Sequence, residues 1–344
     1  MSRATSRATG ASAIILSAAL AVGAAAQDYE PPRTEHGFPD LQGVWSNASV
    51  TGMTRPRGYP LVLTPEQAAE IEGRDFYNQR VANESDPLDP NAPPPEAGAP
   101  LPPVGNYSYV WTDPGAHVAV VNGELRSSFI TYPEDGQYPA MTEEGQALRA
   151  AAAGGGRRGS GYDNPEERGL GERCILIGTG GPPLGQYLYN NNVQIVQTKD
   201  HLMLMAEMIH DVRIFRIDEA HRDDGVQPWM GDSIAWWEGD TLVTQTRHIH
   251  PEQRTGRRFL SDDATITEKF TRVSDDQILY AFEIDDPSVY EDVTRGEMPL
   301  NRMDENVYEY ACHEGNHGLR NILQGGRVAD AQGVSQVDEG PREE

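Results

Sequence analysis

The chain has 344 residues, of which 53 are acidic and 28 are lysine or arginine, so its formal net charge is −25. A negative charge of this size is repelled by phosphate backbones and by anionic membrane surfaces. The composition therefore argues against nucleic acid as a partner, and the length is that of one large domain or two small ones.

The first 26 residues have the pattern of a secretory signal peptide. Arg3 and Arg7 form a basic start, an apolar run follows from Ala11, and residues 24–26 (Ala-Ala-Ala) supply a cleavage site before Gln27. The apolar run is too short for a retained membrane-spanning helix. The sequence predicts a mature protein that begins near Gln27, is periplasmic or secreted, and has no membrane span.

Four segments are expected along the chain. Residues 1–26 form the signal peptide and residues 27–105 an N-terminal segment with one helix and a proline-rich loop. Residues 106–330 form a β-barrel core, and residues 331–344 a disordered acidic tail. A separate, loosely docked N-terminal cap is the alternative to one elaborated barrel.

The N-terminal segment contains one strand signal and one helix signal. Residues 39–45 (Pro-Asp-Leu-Gln-Gly-Val-Trp) resemble the first strand of lipocalin-like barrels, in which the tryptophan closes one end. An ordinary buried Trp45 is the alternative. Thr64, Pro65 and Gln67 predict a capped helix start, with the helix running to about Val81. The proline-dense residues 86–103 follow and predict a surface loop.

The rest of the chain is dominated by strand signals. A second short helix is predicted over residues 142–152. Hairpins are predicted for residues 193–198 with 201–207, 233–237 with 241–246, and 264–273 with 277–284, and single strands for 116–121, 127–132, 211–217 and 307–312. This pattern predicts a mainly β fold, an antiparallel meander or lipocalin-like (calycin-like) barrel with a few peripheral helices.

Two charged residues are predicted to point into the barrel. Alternation places Glu268 and Arg272 on the same strand face as Ile266 and Phe270. Such a pair could bind a polar ligand inside the barrel. The alternative is a structural ion pair at one end of the barrel, with Arg272 stacked on a tryptophan such as Trp45.

Residues 207–213 (Glu-Met-Ile-His-Asp-Val-Arg) gather polar groups where one strand ends and the next begins. A carboxylate beside His210 could fix the tautomer of the imidazole and raise its basicity, as a general base requires. Glu207, Asp211 and Arg213 would complete the group. A polar turn is the alternative.

Residues 313–317 (His-Glu-Gly-Asn-His) match the H-E-x-x-H pattern of zinc proteases, which requires one helix through both histidines. A glycine interrupts the pattern, and Asn316 is suited to cap a helix that begins near His317. We therefore expect a strand-to-helix corner at which His313 and Glu314 face a pocket. A purely structural corner is the alternative.

Two further groups could bind a ligand. Tyr189, Asn190 and Asn191 precede a strand and could line a ligand mouth with phenol and amide groups, unless they form an exposed turn. His248 and His250 would share one face of a strand, which suits a transition metal. Pro251 follows them directly, however, and places the pair at a strand end.

Cys174 and Cys312 are the two cysteines of the chain. In an exported protein they predict one disulfide, which in the chain-entropy model stabilises the fold by about 4–5 kcal/mol. Two free thiols, with Cys312 beside His313 as a nucleophile, are the alternative.

Several short motifs are spread over nearly all of the predicted mature chain. They are Pro-Asp-Leu-x-Gly-x-Trp at 39–45, Arg-Ser/Thr-Ser at 126–128 leading to Pro-x-Asp-Gly at 133–136, Arg-Cys at 173–174, Tyr-Asn-Asn at 189–191, Glu-x-x-His-Asp-x-Arg at 207–213, Trp-Glu-Gly-Asp-Thr-Leu-Val at 237–243 and Tyr-Ala-Cys-His-Glu-Gly-Asn at 310–316. Together they resemble a large group of exported, mostly uncharacterised bacterial proteins, which implies no established reaction. The resemblance implies the disulfide, because both cysteines lie in shared motifs. Members often carry tyrosine at the position of His317, which argues against a zinc protease.

The leading hypothesis is an enzyme that acts on a small organic molecule by acid–base chemistry, as a lyase, hydratase or isomerase. No covalent nucleophile, redox motif or cofactor motif is visible, and no metal is expected. The predicted catalytic residues are His210, Asp211, His313 and Glu314; the predicted substrate-binding residues are Tyr189, Asn190, Asn191, Glu207, Arg213, Glu268 and Arg272.

Two other hypotheses remain open from the sequence. The same polar groups could bind a small molecule in the barrel without turnover. A metal-dependent hydrolase could use His210, His248, His250 or His313.

Overall fold

The computed structural model describes residues 29–75, 77–79, 114–154, 161–177, 179–253 and 259–333. Contacts divide the chain into residues 1–30 and residues 31–344, and the fold below is that of the second unit. The predicted signal peptide, the proline-rich loop and most of the predicted acidic tail lie outside the described residues.

The described residues form strands, three of which are very short, and peripheral helices. The strands are β1 (Gly43–Ser46), β2 (Val120–Val121), β3 (Glu124–Leu125), β4 (Ile130–Tyr132), β5 (Asn192–Gln197), β6 (His201–Ala206), β7 (Val212–Ile217), β8 (Asp232–Glu238), β9 (Thr241–Arg247), β10 (Thr265–Arg272), β11 (Gln277–Asp285) and β12 (Thr294–Met303). The helices are α1 (Pro65–Arg74), α2 (Glu143–Gly154) and α3 (His317–Ala331), with 3-10 turns at Pro165–Glu167 and Met208–His210.

Nine of the strands close into a barrel. Strands β5 to β12 follow one another around the sheet, and β1 lies between β5 and β12 and is antiparallel to both. Strand β4 pairs with the first part of β12, and β2 and β3 form a separate small sheet. The predicted mainly β barrel with a few peripheral helices is confirmed.

The pairing of β7 with β8 departs from the predicted antiparallel meander. These two strands are parallel, and only Phe215, Arg216 and Ile217 of β7 are paired with β8. A hairpin turn cannot join parallel neighbours. Residues 218–231 therefore carry the chain back to the end of the barrel at which β7 begins. This connection is polar and has no apolar period, so its pattern does not predict a crossover and its length is the signal that remains.

Side chains fill the barrel interior. The largest that are fully buried include Trp45, Phe129, Phe215, Phe270 and Tyr280. The alternation predicted for β10 is confirmed, because its buried residues are Ile266, Glu268, Phe270 and Arg272. The interior is thus a packed core, as expected for a barrel of few strands.

An irregular segment, residues 180–184, also contributes to this core and is buried along its whole length. The N–H of Leu184 donates to the hydroxyl of Tyr280 at 2.8 Å. At Gly181 the backbone is left-handed (φ +93°), and a Cβ atom there would lie 2.9 Å from Nη1 of Arg213. Glycine at this position lets the segment pass close to the buried arginine.

The prediction of a last strand at residues 307–312 is wrong. The last strand is β12, and residues 306–311 are irregular. Strand β12 contains Gly296 and Pro299, two residues that weaken a strand signal, and proline argues against a central strand. The pairing of β12 with β11 and β1 overrides this weak local signal.

The other local predictions fare better. The three predicted hairpins are confirmed as β5–β6, β8–β9 and β10–β11, and the second predicted helix is α2. Helix α1 begins with the predicted capping box of Thr64 and Gln67 but ends at Arg74, because Asp75 is extended (φ −62°, ψ 132°). Of the two predicted N-terminal strands, one joins the barrel sheet as β4, and the other pairs with β3 instead. None of the described helices has both the length and the apolar character needed to cross a membrane.

Candidate functional site

A pocket opens in the barrel wall where β7 and β8 meet. Because the two strands pair over so short a stretch, the first half of β7 has no strand neighbour on that side. The pocket lies between this half of β7, the start of β8 and residues 228–231, and its volume is about 460 Å³. This size is typical of small-molecule sites.

Asp211 lies in this pocket, immediately before β7. The turn before it has left-handed backbone at Ile209 (φ 60°) and His210 (φ 50°). The Oδ2 atom of Asp211 is buried and accepts no hydrogen bond from the described residues. Burial raises the pKa of Asp211 to about 7, although a hydrogen bond from the backbone of Ile177 acts in the opposite direction. A carboxyl group of this kind can exchange its proton at neutral pH, as acid–base catalysis requires.

Asp232, the first residue of β8, organises the charged side of the pocket. Its carboxylate accepts hydrogen bonds from Nη1 of Arg216 (2.6 Å), from Nδ1 of His221 (2.8 Å) and from the backbone N–H of Arg222 (2.9 Å). Burial by itself would raise the pKa of Asp232, but these hydrogen bonds outweigh it and lower the pKa to about 2. Asp232 therefore stays ionised and positions its neighbours.

The two arginines at the pocket differ in how firmly they are held. The guanidinium of Arg216 bonds Asp232 and also Glu219, at 2.9 Å. The guanidinium of Arg222 pairs with Asp224, and both of these side chains are 45% exposed. An exposed pair contributes little stability and is readily exchanged. Arg222 is therefore the cation of the pocket that is best able to bind a ligand anion.

Residues 228–231 form the wall opposite β7. Trp229 packs against the imidazole of His250, with ring centroids 4.0 Å apart and the ring planes tilted by 34°, and Met230 is buried. At Gly231 (φ +79°) a Cβ atom would lie 2.7 Å from the carbonyl oxygen of Arg247. Only glycine fits at this approach to β9. The wall is thus apolar and fixed in place.

Arg213 and Glu268, two of the predicted substrate-binding residues, meet inside the barrel. Arg213 contributes to the pocket lining, but its guanidinium points inward and pairs with both oxygens of Glu268. The hydroxyl of Tyr280 donates to the same carboxylate at 2.7 Å, and Nη2 of Arg213 also donates to Thr246 at 3.0 Å. The carboxylate of Glu268 is therefore fully engaged by the protein itself.

Arg272 does not pair with Glu268. It donates to the carbonyl oxygens of Asp40 (2.8 Å), Ser274 (3.3 Å) and Asp275 (3.0 Å). Its guanidinium lies 5.7 Å from the centre of the Trp45 ring. This is the stacked arrangement that the sequence offered as the structural alternative.

Of the four predicted catalytic residues, the pocket contains Asp211. His210 is exposed, and its Nδ1 lies 3.2 Å from the carbonyl oxygen of Tyr310. His313 and Glu314 are exposed in the turn before α3. Within the described residues, no hydrogen bond joins these three side chains to Asp211.

The remaining predicted substrate-binding residues hold irregular segments together. The side chain of Asn191 closes a turn through two 2.8 Å hydrogen bonds with the backbone of Tyr187. Desolvation and a hydrogen bond with Tyr310 raise the pKa of Tyr189, and Asn190 beside it is half-buried with left-handed backbone (φ 54°). Glu207 accepts hydrogen bonds from Asn192 (2.6 Å) and from the N–H of Tyr308 (3.1 Å).

The predicted disulfide is present and lies next to the pocket. Cys174 and Cys312 are bonded across a sequence separation of 138. Ile175, which follows Cys174, lines the pocket, and Ile177 donates its backbone hydrogen bond to Asp211. The disulfide thus anchors the segment that covers the Asp211 carboxyl.

The two histidines considered for a metal site, His248 and His250, contact different neighbours. His248 has left-handed backbone (φ 54°) and lies edge-on to His221, whereas His250 packs against the ring of Trp229. Helix α3 begins at His317 with Asn316 as its cap, so His313 and His317 do not share a helix. In the part of the chain that the structure describes, no three His, Cys, Asp or Glu side chains are grouped as metal ligands.

Sequence reasoning missed much of the pocket. The missed lining residues include Arg216, Arg222, Trp229 and Asp232, and His221, which bonds Asp232, was missed as well. One signal could have pointed to them: the connection over residues 218–231 is too long for a hairpin and carries charged and aromatic residues.

Comparison with known proteins adds no assignment: no protein-family model matches the chain, and no curated protein is significantly similar to it.

Proposed function

We propose that the protein is an enzyme that acts on a small organic molecule by acid–base chemistry in the pocket beside β7. The observation that carries this proposal is the carboxyl group of Asp211, a residue that lines the pocket and whose buried Oδ2 accepts no hydrogen bond from the described residues. A buried carboxyl oxygen that accepts no hydrogen bond is costly to the fold, so a role toward a ligand accounts for it.

In this proposal Asp211 takes a proton from the substrate and returns it at a second position. Such a step serves an isomerase, a lyase or a hydratase, and it needs no covalent intermediate. Arg222 would bind a carboxylate or a carbonyl oxygen of the substrate and stabilise the negative charge that develops there. Trp229 and the apolar surface of β7 would exclude water from the reacting atoms.

The proposal is tested by incubating the purified protein with culture metabolites and following which compound is consumed. Asp211→Asn should lower the turnover number at least about 100-fold, the size of a lost general base. Asp200→Asn, in the exposed turn between β5 and β6, is the matched control and should leave the rate unchanged. Wild-type turnover in folded Asp211→Asn protein would refute the proposal.

A ligand-binding protein without turnover is the second candidate function. It is favoured by the ion pair of Arg216 and Asp232, because these two side chains bond each other and Asp232 stays ionised. Among the described residues that line the pocket, Asp211 is then the one carboxyl left for proton exchange. The same incubation separates the two functions. A compound that is retained by the protein but recovered unchanged would support binding alone.

We also propose that the protein works outside the cytoplasm, in the periplasm or as a secreted protein. The Cys174–Cys312 disulfide supports this location, because disulfides persist in oxidising compartments. The signal-peptide pattern of residues 1–26 and the resemblance to exported proteins agree with it.

A further inference from the structure

The backbone of β7 alternates between two neighbours. The N–H of Ala206 donates to the carbonyl oxygen of Asp211 at 2.8 Å, which fixes the phase of the antiparallel ladder between β6 and β7. Asp211, Arg213 and Phe215 therefore turn their backbone groups toward β6. The backbone groups of Val212, Ile214 and Arg216 turn the other way, toward β8 and the pocket.

On that second side the ladder is incomplete. Phe215 pairs with Ser233 in parallel register, which uses the carbonyl group of Ile214 for the N–H of Ser233. The N–H and C=O of Val212 and the N–H of Ile214 lie beyond the last pair. Among the described residues, no backbone hydrogen bond reaches these three groups from the pocket side. They form a short free strand edge inside the pocket.

We infer that the ligand of this pocket is a short peptide that adds to the free edge of β7 as a parallel strand. This inference takes the location of the site from the proposed function and names its substrate class. Peptides commonly bind by adding a strand to an exposed edge. The same three groups that β7 leaves unpaired are those that one extended tripeptide can satisfy.

The register of such a tripeptide follows from the parallel ladder. The carbonyl group of its first residue accepts from the N–H of Val212, and the N–H of its third residue donates to the carbonyl oxygen of Val212. Its terminal carboxylate accepts from the N–H of Ile214. The N–H of its second residue points away from β7 and makes no hydrogen bond with the strand. A tripeptide spans about 10 Å, and β7 from Val212 to Arg216 spans about 13 Å.

The two ends of the pocket match the charges of a free tripeptide. Asp211, at the start of β7, faces the peptide ammonium group. Arg222, whose exposed pair with Asp224 is readily exchanged, faces the carboxylate. The exposed side chains of Val212 and Ile214, together with Trp229, favour apolar peptide side chains.

The test is calorimetric binding of three synthetic peptides to the full-length mature protein. The probe is a zwitterionic tripeptide of alanine and leucine. N-methylation of the amide nitrogen of its third residue should weaken binding at least 10-fold, because that N–H donates to the carbonyl oxygen of Val212. N-methylation of the amide nitrogen of its second residue is the matched control and should change binding less than 3-fold. Equal effects of the two methyl groups, or no binding at millimolar peptide, would overturn the inference.

Protein variants provide the second arm. Ile214→Pro removes one pocket-facing N–H without touching the ladder to β6 and should weaken binding at least 10-fold. Asp200→Asn, in the exposed turn between β5 and β6, is the control and should bind normally. In the wild-type protein, amide hydrogen exchange of Val212 and Ile214 should slow at least 10-fold when the peptide is bound. This measurement does not depend on whether the proline variant folds. Unchanged exchange rates at saturating peptide would overturn the inference.

The inference and the proposed function can fail separately. Failure of the wild-type protein to bind any of the peptides, together with loss of turnover in Asp211→Asn, would refute the peptide class and retain the acid–base function. Peptide binding with the expected N-methyl pattern, but with every peptide recovered unchanged, would support the strand-addition site while counting against turnover.

Discussion

Arg213 and Glu268 form a buried, two-pronged ion pair that links β7 to β10 across the barrel interior. The two side chains are 1% and 0% exposed. Because β7 is paired with β8 over three residues only, this ion pair is an additional connection between β7 and the far side of the barrel. The polar network of the core therefore compensates for the gap that forms the pocket.

Glu268→Gln should lower the free energy of unfolding by about 3–5 kcal/mol, because it leaves the buried Arg213 without a counter-charge. Urea denaturation measures the change. Glu283→Gln, which removes the exposed partner of Arg295, is the control and should cost less than about 1 kcal/mol. A Glu268→Gln protein as stable as the control would show that the Arg213–Glu268 pair does not stabilise the fold.

Asp211→Asn should stabilise the protein above pH 7 and remove a pH dependence of its stability. The pKa of Asp211 is raised from 3.8 to about 7 in the folded state, so the folded state binds the proton more tightly than the unfolded state. The stability of the wild type is therefore highest below about pH 4 for this group and is lost as pH rises through about 7. Solvent screening of the half-buried carboxyl reduces the expected gain at pH 8 to about 2 kcal/mol.

Urea denaturation at pH 5 and pH 8 checks this expectation. The difference in stability between Asp211→Asn and the wild type should grow from pH 5 to pH 8. A constant difference would mean that the pKa of Asp211 is ordinary in the folded protein.

Removal of the disulfide should cost about 4–5 kcal/mol in the chain-entropy model, since the bond closes a loop with a sequence separation of 138. The double variant Cys174→Ser, Cys312→Ser tests this by thermal or urea unfolding. A reducing agent should destabilise the wild type toward the variant and leave the variant unaffected. Equal stability of the oxidised wild type and the variant would contradict the expectation.

Gly181→Ala should destabilise the protein by more than about 1 kcal/mol, because the site has φ +93° and the added Cβ would lie 2.9 Å from Nη1 of Arg213. Gly73→Ala is the control, because a Cβ there meets no atom within 4 Å and the residue lies in α1. The control should be neutral or stabilising by about 0.5–1 kcal/mol. Unfolding midpoints that rank the two variants in the opposite order would contradict the role of residues 180–184 as part of the core.

The sequence by itself determined the local elements whose signals are short-range. The hairpins, the capped start of α1 at Thr64 and the cap of α3 at Asn316 follow from turn and capping chemistry within a few residues. Alternation also gave the burial of Glu268 and Arg272. It could not give the partner of Glu268, because Arg213 is far away in the chain.

Only the tertiary structure decided where the pocket lies. The parallel pairing of β7 with β8 depends on how the barrel closes, and no local pattern in residues 218–231 encodes it. The same pairing leaves Val212 and Ile214 with free backbone groups and buries one oxygen of Asp211. Asp211 was selected from the sequence as an orienting partner for His210, and its raised pKa arises from burial, which depends on residues distant in the chain.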